Sequence, residues 1–422
     1  MKHSRRMGIV VLMVFLSVMT YIDRIIISIA GPGIIKDFSL SETQMGTIYS
    51  AYLFSYTIMM IPGGYLADRF GPRLTLTFMA LGSALFTGLT ALGGSPGLGT
   101  YIGIVPSFLM IRMCMGICAA PMYPSSGKMN ANWNPPQARA RVWGWIACGA
   151  GIGGAITPAL FSWMKARSGW RSAFLLAALG SAILGAIWCW YAHDYASERP
   201  RSIGPPPART RTLWKELLTN RDLMLLTAGY FTVDYFEYIF FFWLYYYFGQ
   251  IRHMGMDQSA IYTTLMWVAW MVMTPIGGWV SDRLIVHFGL RNGRRIVPIV
   301  GLTLSAVLVY VGSNVTGTLP TVILLCLSLG FAAATDGPYW AAAIDASGKH
   351  AGTGGAIFNT GGNLGGMIAP ALTPLIAKYF GWSWGLYAGG IIMLAGVLVW
   401  FFVGKQTAID SRTEAAPPQA PS

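Results

Sequence analysis

Apolar residues run for about twenty positions at a time along this chain, with polar and charged residues gathered in short stretches between them. A helix needs about 20 apolar residues to cross the hydrocarbon core of a bilayer, so each run predicts one crossing. Broken at Gly, Pro and charge, the pattern predicts helices over 7–30, 43–67, 73–94, 101–125, 139–164, 171–193, 223–250, 258–281, 295–313, 319–346, 351–379 and 382–404. The expectation is an all-α membrane protein with twelve transmembrane helices. Residues 194–221 interrupt the series with a polar, basic stretch in which Pro205, Pro206 and Pro207 exclude a helix. They are expected to be a cytoplasmic linker between two six-helix bundles, 1–193 and 222–405. The Ala-, Pro- and Ser-rich tail, 406–422, is expected to be disordered.

Composition agrees with the pattern. Of 422 residues, 54% are hydrophobic and 11% charged, with a mean hydropathy of +0.52. A soluble domain carries roughly 25% charged residues. The net charge of +13 does not point to nucleic acid, because the cations form no single patch. They follow the positive-inside rule instead, at Lys2, Arg5 and Arg6 and then in the even loops: Arg69 and Arg73; Lys128, Arg139 and Arg141; Arg199 to Lys215; Arg283 to Arg295. The loop holding Lys165, Arg167 and Arg171 is an exception, but the balance puts both termini in the cytoplasm. Cys114, Cys118, Cys148, Cys189 and Cys326 all lie within apolar runs and suit packing rather than disulfides or metal. The first apolar run is too long for a cleaved signal and is expected to remain as the first helix.

A motif repeats. Gly63-Gly64-Tyr65-Leu66-Ala67-Asp68-Arg69 ends the second predicted helix and Gly277-Gly278-Trp279-Val280-Ser281-Asp282-Arg283 the eighth, 214 residues later. Half-chain spacing implies two homologous halves related by pseudo-symmetry. Small Gly64 and Gly278 let helices approach, and Asp68, Arg69, Asp282 and Arg283 are candidates for a breakable charge lock.

The first copy, continuing through Phe70-Gly71-Pro72-Arg73, resembles the signature loop of the major facilitator superfamily. Tyr21-Ile22-Asp23-Arg24, Arg112 to Gly116 with Ala120 to Pro124, and Phe358 to Gly366 are together similar to its anion:cation symporter family. The resemblance covers nearly the whole chain outside linker and tail. It implies a major facilitator fold, alternating access, a bacterial inner membrane, an organic-anion substrate such as a sugar acid, proton coupling, no cofactor, and function as a monomer.

An ionisable side chain at mid-bilayer costs at least about 2.5–3.5 kcal/mol, so Asp23, Arg24, Arg112, Asp234 and Glu237 each need a reason. An Arg fork can hold a carboxylate bidentately. In the family the position matching Arg24 does so, with Tyr21 and Tyr56 matching cavity tyrosines; a structural pair with Asp23 or another helix is the alternative. Arg112 resembles the family's second Arg, which pairs with the helix-1 acid. Burial favours a neutral acid and a nearby Arg its anion, so a movable Arg makes Asp23 a proton switch. A static Asp23–Arg112 bridge is the bland reading. Proton symporters of the family usually carry a Glu seven residues after that Arg, where this chain has Ala119. Asp234 and Glu237 are three residues apart and so on one helix face; one of them, Glu237 by preference, is expected to supply the missing acid from the opposite half, unless Asp234 sits at a helix end. Tyr238, Trp340, Asn359 and Asn363 suit the hydroxyls of a polyhydroxylated acid, while Gly361-Gly362 and Gly365-Gly366 suit either an exposed backbone or close packing.

No G-x-x-x-x-G-K-[ST] loop, H-E-x-x-H, paired-Cys site or G-x-S-x-G elbow is present, which argues against an enzyme and an ATP-driven pump on this chain. The remaining alternatives are exchange or facilitated diffusion of an aromatic or dicarboxylic acid, prompted by Ala119, and a non-transporting membrane sensor.

Overall fold

A computed structural model describes residues 2–94, 96–134, 136–195, 216–347 and 351–404, and every regular element among them is helical. Most of the 194–221 linker and all of the 406–422 tail lie outside the described residues. The helices are α1 (Lys2–Phe38), α2 (Glu42–Phe70), α3 (Pro72–Thr90), α4 (Gly99–Ile102), α5 (Ile104–Ala119), α6 (Met122–Trp133), α7 (Pro136–Tyr191), α8 (Arg221–Tyr246), α9 (Met256–Asn314), α10 (Thr318–Ala333), α11 (Asp336–Ser347), α12 (Ala351–Phe380) and α13 (Trp382–Phe402).

Element boundaries follow local chemistry. Ser41 and Gln44 form a reciprocal capping box that starts α2 (Gln44 N–H to Ser41 Oγ 3.1 Å, Ser41 N–H to Gln44 Oε1 2.8 Å). Gly71, at φ 87°, turns the chain into α3, whose first residue is Pro72. The second repeat turns at its own Phe-Gly step, Gly289 (φ 77°), inside α9, and α7 turns at Gly169 (φ 76°). At about 1.5 Å per residue, the 56 residues of α7 and 59 of α9 far exceed one bilayer thickness, so each breaks where glycine permits it. Among the described residues, six segments are long and apolar enough to cross a membrane: Arg5–Phe38, Ile104–Asn130, Val142–Tyr191, Met256–Asn314, Thr318–Ser347 and Trp382–Phe402. Two expected helices, 101–125 and 319–346, are interrupted: the first breaks at Ala120 and Pro121, the second at Ala334 and Thr335.

Glycines bring the helices together. A Cβ on Gly153 would sit 2.4 Å from the Val18 carbonyl, on Gly116 2.3 Å from that of Tyr52, and on Gly365 2.1 Å from that of Phe231. Helix pairs in membranes gain no hydrophobic advantage over lipid, so close backbone approach supplies their packing. Thus α7 seats on α1, α5 on α2, and α12 on α8. Across the middle, α2 meets α12, α7 meets α9, and α1 meets α8.

The two halves are tied at one end. At the end of the α1–α2 turn, the Tyr246 hydroxyl donates to the Glu42 carboxylate, and Lys165 Nζ donates to the Ile29 carbonyl at 3.0 Å and Tyr245 Oη at 3.4 Å. At the opposite end, which holds the start of α1 and the end of α13, no hydrogen bond among the described residues joins the halves.

Introducing a side chain at the α12–α8 contact should be costly. Gly365→Val is expected to lower the melting temperature of detergent-purified protein by several degrees, since overpacking costs roughly 1–3 kcal/mol. Gly278→Ala, where an added Cβ meets nothing within 4 Å, should leave it within about one degree. Thermal-shift measurement of both variants tests this difference.

Candidate functional site

Where α1, α2 and α5 face α8, the chain buries a guanidinium. Arg24 is 4% exposed, with ring centroids of Tyr21, Tyr52, Tyr56 and Tyr238 at 5.5, 5.6, 5.5 and 4.9 Å from its central carbon. Its Nη2 donates to the Tyr238 hydroxyl, so the contact crosses from one half to the other. Cation–π attraction strengthens as water is excluded, and four rings hold the fork in place while leaving most of its N–H groups unused by protein. Tyr21, Tyr56 and Tyr238 were expected here. Tyr52 was not, although Tyr49, Tyr52 and Tyr56 follow the three- and four-residue spacing of one helix face.

Arg112 is fully buried beneath this cage, its guanidinium 4.8 Å from the Tyr52 ring. It donates to the Arg24 carbonyl at 3.3 Å and contacts Met115 Sδ at 3.2 Å, while its Nε has no partner. Asp23 does not pair with it in this conformation. Asp23 Oδ2 accepts from Ser181 Oγ at 2.8 Å, and Oδ1 has no partner. The cause is helix geometry: adjacent residues on a helix face different ways, so Arg24 looks toward α2 and α8 while Asp23 looks toward α7. An Asp23–Arg24 pair and a static Asp23–Arg112 bridge are both absent among the described residues. Ala119, at the position of the missing acid, is buried.

The carboxyl half contributes acids. Because α8 begins at Arg221, Asp234 and Glu237 lie at mid-helix, not at an end, and both are buried. Glu237 Oε2 accepts from Trp270 Nε1 at 3.0 Å, and Oε1 has no partner. The glycines of α12 create the room: a Cβ on Gly362 would lie 2.4 Å from Asp234 Oδ2, and one on Gly366 2.8 Å from the Tyr238 ring. The Gly361-Gly362 and Gly365-Gly366 pairs are therefore a close-packing surface that sets where the functional face of α8 stands.

Asn363 is buried and spends its amide on the Asn359 carbonyl (2.9 Å) and Met60 Sδ (3.8 Å). Asn359 is half-buried, and its own amide makes no hydrogen bond with the described residues. Trp340 is half-buried, edge-on to Phe358 (5.1 Å), which stacks on Tyr230 (4.3 Å). Sequence reading missed Asp336, buried at the start of α11 with Oδ1 unpartnered. An acid inside the apolar 319–346 run was the signal that could have found it.

The repeated motif is only partly engaged. Gly71 and Arg73 dock on the end of α7: Asp194 Oδ1 accepts from the Arg73 backbone N–H at 2.9 Å, and the Arg73 guanidinium donates to the Cys189 carbonyl at 2.6 Å. Gly64 rests against Pro124 at ordinary contact distance, and Gly278 faces open space. Arg69 and Arg283 lie over Phe70 and Trp279. Asp282 is exposed and outside any ion pair among the described residues, and the Asp68 side chain lies outside them. Among the described residues, Arg69, Asp282 and Arg283 form no ion pair.

The sequence profile of the Major Facilitator Superfamily matches residues 13–366 and 288–421. A probable sulfoacetate transporter of Cupriavidus necator is 30% identical, covering 97% of this chain and 96% of its own. A hexuronate transporter of Bacillus subtilis is 31% identical over 97% of each. Among solved structures, a bacterial homologue of the human lysosomal transporter Spinster, inward-facing and occupied, shares the fold at 16% identity with a TM-score of 0.76, covering 96% of this chain and 98% of that one. With a profile spanning most of the chain and full-length transporter relatives beside it, the protein belongs to the Major Facilitator Superfamily, in its anion:cation symporter family, and is a transporter, not an enzyme.

Proposed function

We propose that the chain carries a small organic anion together with protons across a bacterial inner membrane by alternating access. In this reading two six-helix bundles, 1–193 and 222–405, give twelve crossings. The linker 194–221, the tail 406–422 and both termini are cytoplasmic, and a single chain suffices. The observation that carries the reading is Arg24, a desolvated fork whose main partner is a neutral tyrosine hydroxyl of the opposite half. A carboxylate is a far better acceptor, since charge-assisted bonds are shorter and roughly twice as strong.

Substrate chemistry follows from what surrounds the fork. Arg24 takes the carboxylate; Tyr21, Tyr56 and Tyr238 enclose it; Arg112 adds positive potential from below. The half-buried Asn359 and Trp340 offer a donor–acceptor amide and an aromatic face for the polyhydroxylated end of a sugar acid. The names of the relatives, a hexuronate and a probable sulfoacetate transporter, agree with an acid of this size. Asp234 and Glu237, both buried and in no ion pair among the described residues, favour proton coupling over the exchange that Ala119 suggests, with Asp23 as a further titrating group. The motif residues Gly64, Asp68, Arg69, Gly71, Arg73, Gly278, Asp282 and Arg283 would lock the terminal end when the bundles rock the other way.

The test is uptake in liposomes containing a trapped pH dye, with galactonate, gluconate, glucuronate, glucarate, sulfoacetate, phthalate and succinate. One acid should bring protons in with it. Arg24→Ala should weaken binding of that acid about 10- to 150-fold, the equivalent of roughly 1.5–3 kcal/mol for a charged hydrogen bond. Arg24→Lys should not restore it, because an ammonium lacks the planar fork. Binding unaffected by either change would remove Arg24 from the site.

Asn359→Ala separates the sugar-acid reading from the simpler acids. It should lower affinity for a polyhydroxylated acid by about 0.5–1.5 kcal/mol and leave a substrate without hydroxyls unaffected. Isothermal calorimetry with galactonate and sulfoacetate reads that difference.

A further inference from the structure

Asp336 is a buried acid that the reading above leaves unused. It opens α11 just after the chain breaks at Ala334 and Thr335, is 6% exposed, and leaves Oδ1 without a partner. Glu237, 2% exposed, has Oε2 bound by Trp270 and Oε1 unpartnered. Gly337, next to Asp336, packs on α9, where an added Cβ would lie 4.0 Å from the Thr274 carbonyl, one helical turn from the Trp270 that binds Glu237. The start of α11 and the middle of α8 thus meet on the same stretch of α9, where the charges of Asp336, Glu237 and Asp234 bear on one another.

The groups facing Asp336 are Tyr230, Asp234 and Glu237 from α8 and Tyr339 from its own helix. Trp270 from α9 and Trp340 from α11 complete an aromatic wall around Tyr230 and Glu237. No Lys, Arg or His among the described residues forms an ion pair with any of the three acids. Arg24 bears on Asp234 across the interface. Carboxylates sharing one water-poor site cannot all ionise, and their protons belong to the group and not to single members.

We propose that Asp336 and Glu237 share one transported proton in the carboxyl half, and that Asp234 transmits its presence to Arg24. The inference rests on the proton-coupled reading and gives its proton a place. The proton enters from the outer face onto a carboxyl oxygen, and leaves to the inner face with the anion. No other bond forms or breaks, and one proton per monoanion makes the step electroneutral. With the proton absent, negative charge spreads to Asp234 and competes with the substrate for Arg24. With it bound, the fork is released to the substrate carboxylate. The arrangement removes the need for an acid at Ala119.

In proteoliposomes, an inward proton gradient should drive accumulation of labelled acid, while counterflow without a gradient reports binding and bundle movement alone. Asp336→Asn is expected to cut gradient-driven accumulation at least about tenfold, as charge coupling of this order requires, and to retain counterflow. Glu237→Gln should do the same, and the double variant should be no worse than either single. A folded Asp336→Asn that accumulates like wild type overturns the proposal, and so does a double variant whose loss multiplies the two singles. Should Asp336→Asn fail to fold, infrared spectra of wild type across neutral pH give an independent reading. A protonated-carboxyl band that shrinks in Glu237→Gln is expected, and its absence overturns the proposal. Wild type that moves the acid with no proton entry overturns the coupled reading itself. Normal coupling in wild type beside a fully coupled Asp336→Asn overturns only the shared proton.

Discussion

A guanidinium held away from water governs this molecule. In hydrocarbon a charge must be compensated or excluded, and Arg24 is compensated by aromatic faces and one hydroxyl instead of by a carboxylate. That compensation is incomplete by design of its geometry: rings satisfy the charge in part and leave the fork's hydrogen-bonding directions free. Much else around it serves the same end. The Tyr52–Tyr56 stack (5.7 Å) fixes one wall of the cage. Arg112, bound to the Arg24 carbonyl, fixes the backbone behind it.

Glycine is what makes such a site buildable. The α8 face that carries Asp234 and Tyr238 stands against α12 only because Gly361, Gly362, Gly365 and Gly366 present no side chain there. The same device seats α5 on α2 behind Tyr52 and α7 on α1 behind Tyr21. Packing and function are thus one constraint. Acids and tyrosines can project into the interface between halves because small residues on the neighbouring helices give up the volume.

The order of the elements was legible in the sequence, because apolar runs of membrane length are a strong signal and the motif repeated at half-chain spacing. Their interruptions were not. Breaks at Ala120 and Pro121 and at Ala334 and Thr335 fall inside apolar runs, where hydropathy does not change. The turns of α7 at Gly169 and of α9 at Gly289, by contrast, fall in the polar stretches between expected helices, where hydropathy does change. At the site, identity was readable and orientation was not. Asp23 and Arg24 were both visible as buried charges, yet only the helix rotation sends one to Ser181 and the other to the tyrosines. Asp336 obeyed the same rule as Asp234 and was still passed over, because it lies beside the helix break that the apolar run concealed.

The cations that break the positive-inside pattern have an explanation in contacts. Lys165 sits at the tied end, where it donates to the Ile29 carbonyl of its own half and reaches the Tyr245 hydroxyl and ring of the other. Arg167 lies over Trp163 and Arg171 over Trp170, so these side chains are spent on aromatic faces at that end. The topological rule weighs charges by their access to the cytoplasm during insertion; a lysine recruited to fasten two bundles answers to a different demand. Its partner across the interface, α8, runs from Tyr245 at this tie to Tyr238, which bonds Arg24, and on through Glu237 and Asp234. One helix therefore links the fastening of the bundles to the charge state of the site. In the proposed mechanism, any change in the charge carried at mid-helix is felt by the same element that must let go when the halves rock.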